Sequence, residues 1–213
     1  MYSSEKPGKQ ATEIRQASLI DAAIQLAAQR SPAAITTGDL AMAVGITQGA
    51  MFRHFDSKQS LWLAVLCWVH DTLLSRLQEA AELNEGKPLE ALRAVFMAHV
   101  EFVLAHPGVP RILFHELQQP EDSPHKAEVR ALMQAYRALL MRLLTSAEYS
   151  NLIAIDIDKE SASVLFLGSV QGLVMQALMA GDVSVMRQQA AAVFAIYQRG
   201  LQHATPHSTQ GIP

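Results

Sequence analysis

The sequence predicts an all-α fold of about nine helices. Two observations carry that expectation. Apolar residues recur at spacings of three and four through nearly all of the 213-residue chain, and no stretch alternates apolar and polar residues with strand-like composition. A third sets the boundaries: prolines, glycines and hydroxyl or acidic cap residues fall where the periodic stretches end.

The first helix is expected from about Thr12 to Arg30, with Ile14, Ala17, Leu19, Ile20, Ala23, Ile24 and Ala27 on its apolar face. Ser31-Pro32 ends it, because a residue before proline is pushed out of the α region. Thr36 or Thr37 caps a short helix with Asp39 in its first turn, and Gly45 stops it by taking a positive φ. Thr47 caps a second short helix through Gln48, Ala50, Met51, Phe52 and His54. Phe55-Asp56-Ser57-Lys58 leads into a long helix with the stripe Trp62, Leu66, Val69, Leu73, Leu77. Pro88 opens a helix to about Ala105, and His106-Pro107-Gly108 breaks it. Arg111 to Gln118 is short, Pro120 to Pro124 is a loop, and Val129 to Leu143 marks another long helix. Asp158 caps Lys159 to Ala180, Gly181-Asp182 ends it, and Ser184 caps a last helix to about His203.

This length suffices for one large helical domain or for a small one joined to a larger. The single cysteine, Cys67, excludes an internal disulfide framework, and among Leu66, Trp68 and Val69 it reads as a buried, inert thiol. Met1 to Gln10 lacks the apolar run of a secretory signal. Polar residues interrupt the later apolar runs before the roughly 18 to 20 residues of a bilayer span. The expectation is a soluble protein of a reducing cytoplasm without a membrane partner. A net charge of -3 excludes a polybasic nucleic-acid binder. Residues 1–60 hold six Lys/Arg against five Asp/Glu, so any nucleic-acid contact must come from a local surface.

Thr36 to Phe55 is such a surface. Two short helices, a one-glycine turn and the apolar set Leu40, Val44, Ile46, Met51 and Phe55 make helix-turn-helix anatomy, whose second helix enters a major groove by its first turn. Gln48 to Met51 are that turn. The Gln48 amide matches adenine N6 and N7, while Gly49 and Ala50 lack bulk and admit close approach. Thr37 and Thr47 each combine a cap with a hydroxyl near phosphate. Lys58 opposes the dipole at the start of the long helix, a poor choice for stability alone and a good one for phosphate. Arg53 reads equally as a solvated side chain.

The stretch ITTGDLAMAVGITQGAMFRHFDSKQSLW, Ile35 to Trp62, resembles the amino-terminal pattern of the TetR family of transcriptional regulators: T-T, a helix ending in A-x-x-x-G-[VI]-[ST], then x-G-x-[LM]-[FY]-x-[HY]-F-x-x-K-x-x-L. The resemblance implies a three-helix DNA-binding head over residues 13–73, with the motif at 36–55. It implies a helical bundle over 74–203 for ligand binding and dimerisation, between an N-terminal flexible arm (1–12) and a disordered tail (204–213). It places Phe52 and His54 beside the phosphate backbone, although Phe52 lacks the hydroxyl of the tyrosine common there, and with glycine at 38, where some relatives carry a base-contacting basic residue, it leaves specificity to Gln48 and Met51. It further implies a homodimer on double-stranded operator DNA, built by the last two helices through Leu165, Gly168, Ser169, Gly172, Leu173, Val193, Phe194 and Tyr197. A small, lipophilic effector would sit among Phe96, His99, Phe102, His115, Met133, Tyr136, Met175, Gln176 and Met179. The implied function is a repressor released from a palindromic operator, with no enzyme activity and no cofactor.

Other readings remain open on the residues. His99, His106 and His115 allow a metal-sensing regulator, though no H-E-x-x-H, E-x-x-H or cysteine-histidine cluster supports a catalytic metal. A helical enzyme, or an adaptor that keeps the fold without binding DNA, is the remaining class.

Overall fold

A computed structural model describes residues 7–202, with side chains from Thr12 onward. Among the described residues it is all-helical: α1 (Pro7–Gln29), a 3-10 turn (Pro32–Ala34), α2 (Thr37–Ala43), α3 (Gln48–Met51), α4 (Lys58–Glu82), α5 (Pro88–Ala105), α6 (Val109–Leu117), α7 (Pro124–Tyr149), α8 (Lys159–Ala180) and α9 (Ser184–Leu201). The expected start of α1 at Thr12 is corrected to Pro7, so 7–12 is helix and not arm. Residues 1–6 and the expected tail lie outside the described residues.

Local chemistry explains the boundaries. Asp158 accepts from the Glu160 N–H and opens α8, and Gly181 closes it at φ 68°. Ser57 and Ser60 cap α4 reciprocally: each hydroxyl accepts from the other's N–H, at 3.0 and 3.1 Å. At α9 the expected cap is corrected. Ser184 is the first helical residue, and Asp182 accepts from its N–H and hydroxyl, both at 2.8 Å.

The chain forms two compact units, one running up to Arg76 and including Glu101–Tyr136, the other made of Leu77–Val100 and Arg137 onward. The anticipated boundary after residue 73 lies near the Arg76–Leu77 junction. Residues 74–203, however, do not stay together: α6 and the first half of α7 group with the amino-terminal helices. In this first unit Gly108 stands at the start of α6 against α1. A Cβ there would lie 2.0 Å from the Ile24 carbonyl oxygen and 2.8 Å from the Ala28 nitrogen, so only glycine lets the two backbones meet.

The second unit is centred on aromatic rings. Phe96 and Phe166 meet edge to face at 5.3 Å, Phe166 and Tyr197 at 5.4 Å, and Phe194 lies 5.4 Å from Phe96. Phe194 and Tyr197 are buried in this cluster, which corrects their assignment to a dimer surface. Leu173 is buried as well, on the inner face of α8. The expectation that no segment attains the length and apolarity of a bilayer span is also corrected, because α8 does so by length and composition. Its inner face is core, with Phe166, Val170, Val174 and Ala177 buried, while Val164, Leu165, Met175 and Met179 are exposed on the other side.

Gly108→Ala is expected to lower unfolding stability by about 3 kcal/mol, the upper part of the overpacking range, read from urea midpoints. An unchanged midpoint would remove the α1–α6 seam from the argument. A second expectation concerns pH. Burial lowers the His99 imidazole from 6.5 to about 4, so the folded state holds it neutral and its stabilisation is complete above pH 6.5. As pH falls from 6.5 towards 4, stability is lost at up to about 1.4 kcal/mol per pH unit. His99→Gln should flatten the denaturation midpoint over that window, and a slope unchanged by the substitution would refute the assignment.

Candidate nucleic-acid interface

The two short helices are built as their caps dictate. Thr36, not Thr37, caps α2. Its hydroxyl accepts from the Asp39 N–H at 3.1 Å, while its own N–H and O–H donate to Asp39 Oδ2 at 2.8 and 2.7 Å. Hydrogen bonds from Thr36, with the Arg30 guanidinium, hold the Asp39 carboxyl below its ordinary value. Gly45 turns the chain at φ 68°, and the Ile46 N–H reaches back to the Ala41 carbonyl at 3.0 Å. Thr47 then caps α3 and accepts from the Ala50 N–H at 3.1 Å.

Freed from capping, Thr37 does something the sequence did not announce. Its hydroxyl oxygen accepts from the Gln48 amide nitrogen at 2.5 Å, tying the first residue of α2 to the first residue of α3. An amide nitrogen carries two hydrogens, so the second hydrogen and the Gln48 oxygen stay available for a bidentate base contact. Gln48 and Gly49 are exposed, and a Cβ built on Gly49 meets nothing within 4 Å. Neither intrachain packing nor backbone conformation requires that glycine.

Met51 does not belong to this surface. It is 0% exposed, and with Leu40 and Phe55 it locks the two helices together. Its assignment as a base-reading residue is therefore corrected: in a four-residue helix the third step after Gln48 turns inward. Phe52 is 44% exposed and stands on the surface, not in the core. His54 is half-buried, with Nδ1 enclosed and without a partner among the described residues. Lys58 begins α4, its ammonium 3.4 Å from the Ala33 carbonyl.

Sequence reading missed the side chains of α1 that hold the motif. Arg15 donates to the Val44 carbonyl at 3.3 Å and Gln16 to the His54 carbonyl at 2.9 Å, so α1 holds the C-cap of α2 and the turn that follows α3. Arg30 pairs with Asp39 at 3.2 Å. The only local signal was polar residues on a face otherwise given over to packing.

The residues named for an effector do not form one set. Phe96 packs in the ring cluster of the second unit. Phe102 packs at a tilt against the rings of Trp68 and His106, with Arg76 over its ring at 5.5 Å, in the first. Tyr136 is buried and Met133 half-buried. Met175, Gln176 and Met179 are exposed on the outer face of α8, which places them with Leu165, Gly168 and Gly172, also exposed. Ser169 and Val193 are half-buried, and the Ser169 hydroxyl donates to the Leu165 carbonyl at 2.7 Å. Among the described residues no group of three or more His, Cys, Asp or Glu is placed to hold a metal ion.

An amino-terminal helix-turn-helix with an open first turn, joined to a larger helical part, defines a DNA-binding transcriptional regulator. The chain matches "Bacterial regulatory proteins, tetR family" over residues 19–65 and "Tetracyclin repressor-like, C-terminal domain" over residues 85–175, and it belongs to the TetR family. Among its relatives, the nucleoid occlusion factor SlmA of Vibrio vulnificus (strain YJ016) is 25% identical over 138 residues, 65% of this chain and 70% of that one. The same fold occurs in the fatty acid degradation regulator FadR from Bacillus halodurans, with a TM-score of 0.77 at 18% identity over 95% of this chain and 100% of that one. FadR from Bacillus subtilis, solved in complex with stearoyl-CoA, gives 0.75 at 17% identity over 87% and 99%.

Thr37→Val keeps the side-chain shape and deletes the acceptor for Gln48. It should weaken operator binding by about 1 kcal/mol with little change in the urea midpoint, measured by anisotropy of a labelled duplex. Unchanged affinity would show that the Thr37–Gln48 bond does not position the reading residue.

Proposed function

We infer that this regulator is a homodimeric repressor of the cytoplasm that reads a palindromic operator through Gln48, with Gly49 and Ala50 admitting the duplex and Thr47, Phe52, His54 and Lys58 flanking its phosphates. The observation that carries this reading is the first turn of α3. Gln48 is exposed and oriented by Thr37, and beside it stands a glycine that nothing inside the chain requires. Small residues there serve an external approach, and an amide with one hydrogen and its oxygen uncommitted suits adenine in the major groove.

Dimerisation through α8 and α9 follows from the uncovered half of α8. A helix apolar on all sides is stable in water only when all sides are covered. Leu165 is 58% and Met179 66% exposed in the single chain, and Ile196 of α9 is exposed too. Between them Gly168 and Gly172 leave open space for a second backbone. A twofold pair of reading heads matches a palindrome and fixes the half-site spacing. Release follows when a small molecule favours dimers with the wrong head separation, through a coupling of roughly 1–3 kcal/mol. α4 is one unbroken helix from Lys58 to Glu82 and supplies the lever.

Selection from random duplexes, followed by sequencing of the bound fraction, tests the reader. Wild type should recover a palindrome that Gln48→Ala/Lys58→Ala does not. Gln48→Ala alone should lose about 1–3 kcal/mol of discrimination at one position of each half-site. Enrichment of no sequence by wild type would overturn the reading. Leu165→Glu should convert the dimer to monomer in sedimentation at micromolar concentration, and a dimer that survives it would place the interface elsewhere.

A further inference from the structure

The first unit contains a cavity that shares a single residue, Lys58, with the set assigned to DNA. Its volume is about 350 Å³, within the range of small-molecule sites. Lys58, Trp62 and Leu66 line it from α4 at successive steps of four, a single face of that helix. Ile112, His115 and Glu116 line it from α6, His125 closes it from the start of α7, and the 3-10 turn at Pro32 and Ala33 forms its end beside the DNA-reading helices.

The chemistry of these walls selects an occupant. Trp62, Leu66 and Ile112 offer an apolar slot suited to a flat ring. The polar groups at the edges are mostly occupied or held: Glu116 accepts from the Ser123 hydroxyl at 2.8 Å, and His125 shares a hydrogen bond of 2.9 Å with the Gln59 carbonyl. The His115 ring and Lys58 are the exceptions, and of the two Lys58 carries the fixed charge. It forms no ion pair among the described residues, and its ammonium has only the long 3.4 Å contact to the Ala33 carbonyl. A cation at the rim of an apolar slot fits a molecule with an apolar ring and a carboxylate. Phosphate recognition alone needs no apolar slot beside the lysine.

We propose that the cavity between α4 and α6 is a binding site for small aromatic carboxylates, with the ring against Trp62 and the carboxylate on Lys58. Its regulatory consequence rests on the DNA-binding reading above, because the same ammonium is assigned to an operator phosphate. A bound carboxylate withdraws Lys58 from the DNA, so ligand and operator compete at one side chain, a route separate from any change in head separation.

Trp62 reports on the site. The chain has two tryptophans, so Trp68→Phe leaves Trp62 as the sole emitter. Titration with 3-phenylpropionate, and with 3-phenylpropanamide as the uncharged control, should give a saturable Trp62 response with the carboxylate preferred by about tenfold or more. Lys58→Gln should reduce that preference to within about twofold. Saturation-transfer NMR on the unsubstituted chain provides the same comparison if Trp68→Phe disturbs the fold. With operator present, saturating 3-phenylpropionate should flatten the log-affinity against log-salt slope by about 0.9 for each Lys58 withdrawn. No saturable response, or equal affinity for acid and amide, overturns the site even when wild type selects an operator. A carboxylate-specific response in a protein that selects no operator keeps the site and overturns the DNA reading instead.

Discussion

The close approach of Gly108 to α1 is the constraint on which the arrangement of the first unit depends. A backbone seated where a Cβ would be 2.0 Å from a carbonyl oxygen has little freedom to slide. α6 is therefore fixed to α1 at its first residues. α1 in turn holds the C-cap of α2 through Arg15 on Val44 and the turn after α3 through Gln16 on His54. The reading turn is thus held by two attachments, the continuous α4 and the α6–α1 seam. A displacement of α6 bears on α1, then on the ends of α2 and α3, and so on the Thr37–Gln48 bond. Each link in that route is a packed contact or a hydrogen bond, the material from which coupling between sites is made.

Much of the fold was legible because helix boundaries are written in short-range chemistry. Gly45, Thr47, Pro88, Asp158 and Gly181 each act on backbone groups within four residues, and each stands where the structure uses it. The division of labour between Thr36 and Thr37 was not legible. Either hydroxyl satisfies the cap pattern, and the choice is settled by Asp39, which completes a reciprocal pair with Thr36 alone. The freed threonine then acquires its contact with Gln48 across the turn, eleven residues away, beyond what local pattern encodes.

The surface of the site was legible in type and less so in membership. Gln48 and Gly49 face outward as residue chemistry indicates, whereas Met51 satisfies both an exposed and a buried reading until the pitch of α3 is known. The same ambiguity is larger in α8. A helix apolar on all sides gives no amphipathic signal, so sequence could not separate Leu173, which faces inward, from Met175 and Met179, which face outward. Phe194 and Tyr197 of α9 were drawn to the dimer surface by the interface that the resemblance implies, although their rings pack with each other in the core. The grouping of α6 with the amino-terminal helices was hidden for another reason. It depends on contacts between segments some eighty residues apart, and glycine at 108 reads locally as nothing more than a helix breaker.

Glycines separate what the chain needs for itself from what it presents to others. Gly108 is demanded from within, since any side chain there meets the backbone of α1. Gly49, Gly168 and Gly172 lie in helices with open space where a Cβ would project. A glycine inside a helix is less stable than alanine by roughly 0.5–1 kcal/mol, so a chain shaped by its own stability alone would carry alanine at all three. Their positions are the reading turn of α3 and the outer face of α8, the two surfaces assigned to the duplex and to a second copy of the chain. Gly200 of α9 has the same open space, so what sets Gly49, Gly168 and Gly172 apart is their place on the two proposed surfaces, where a missing side chain leaves room for another backbone to come close.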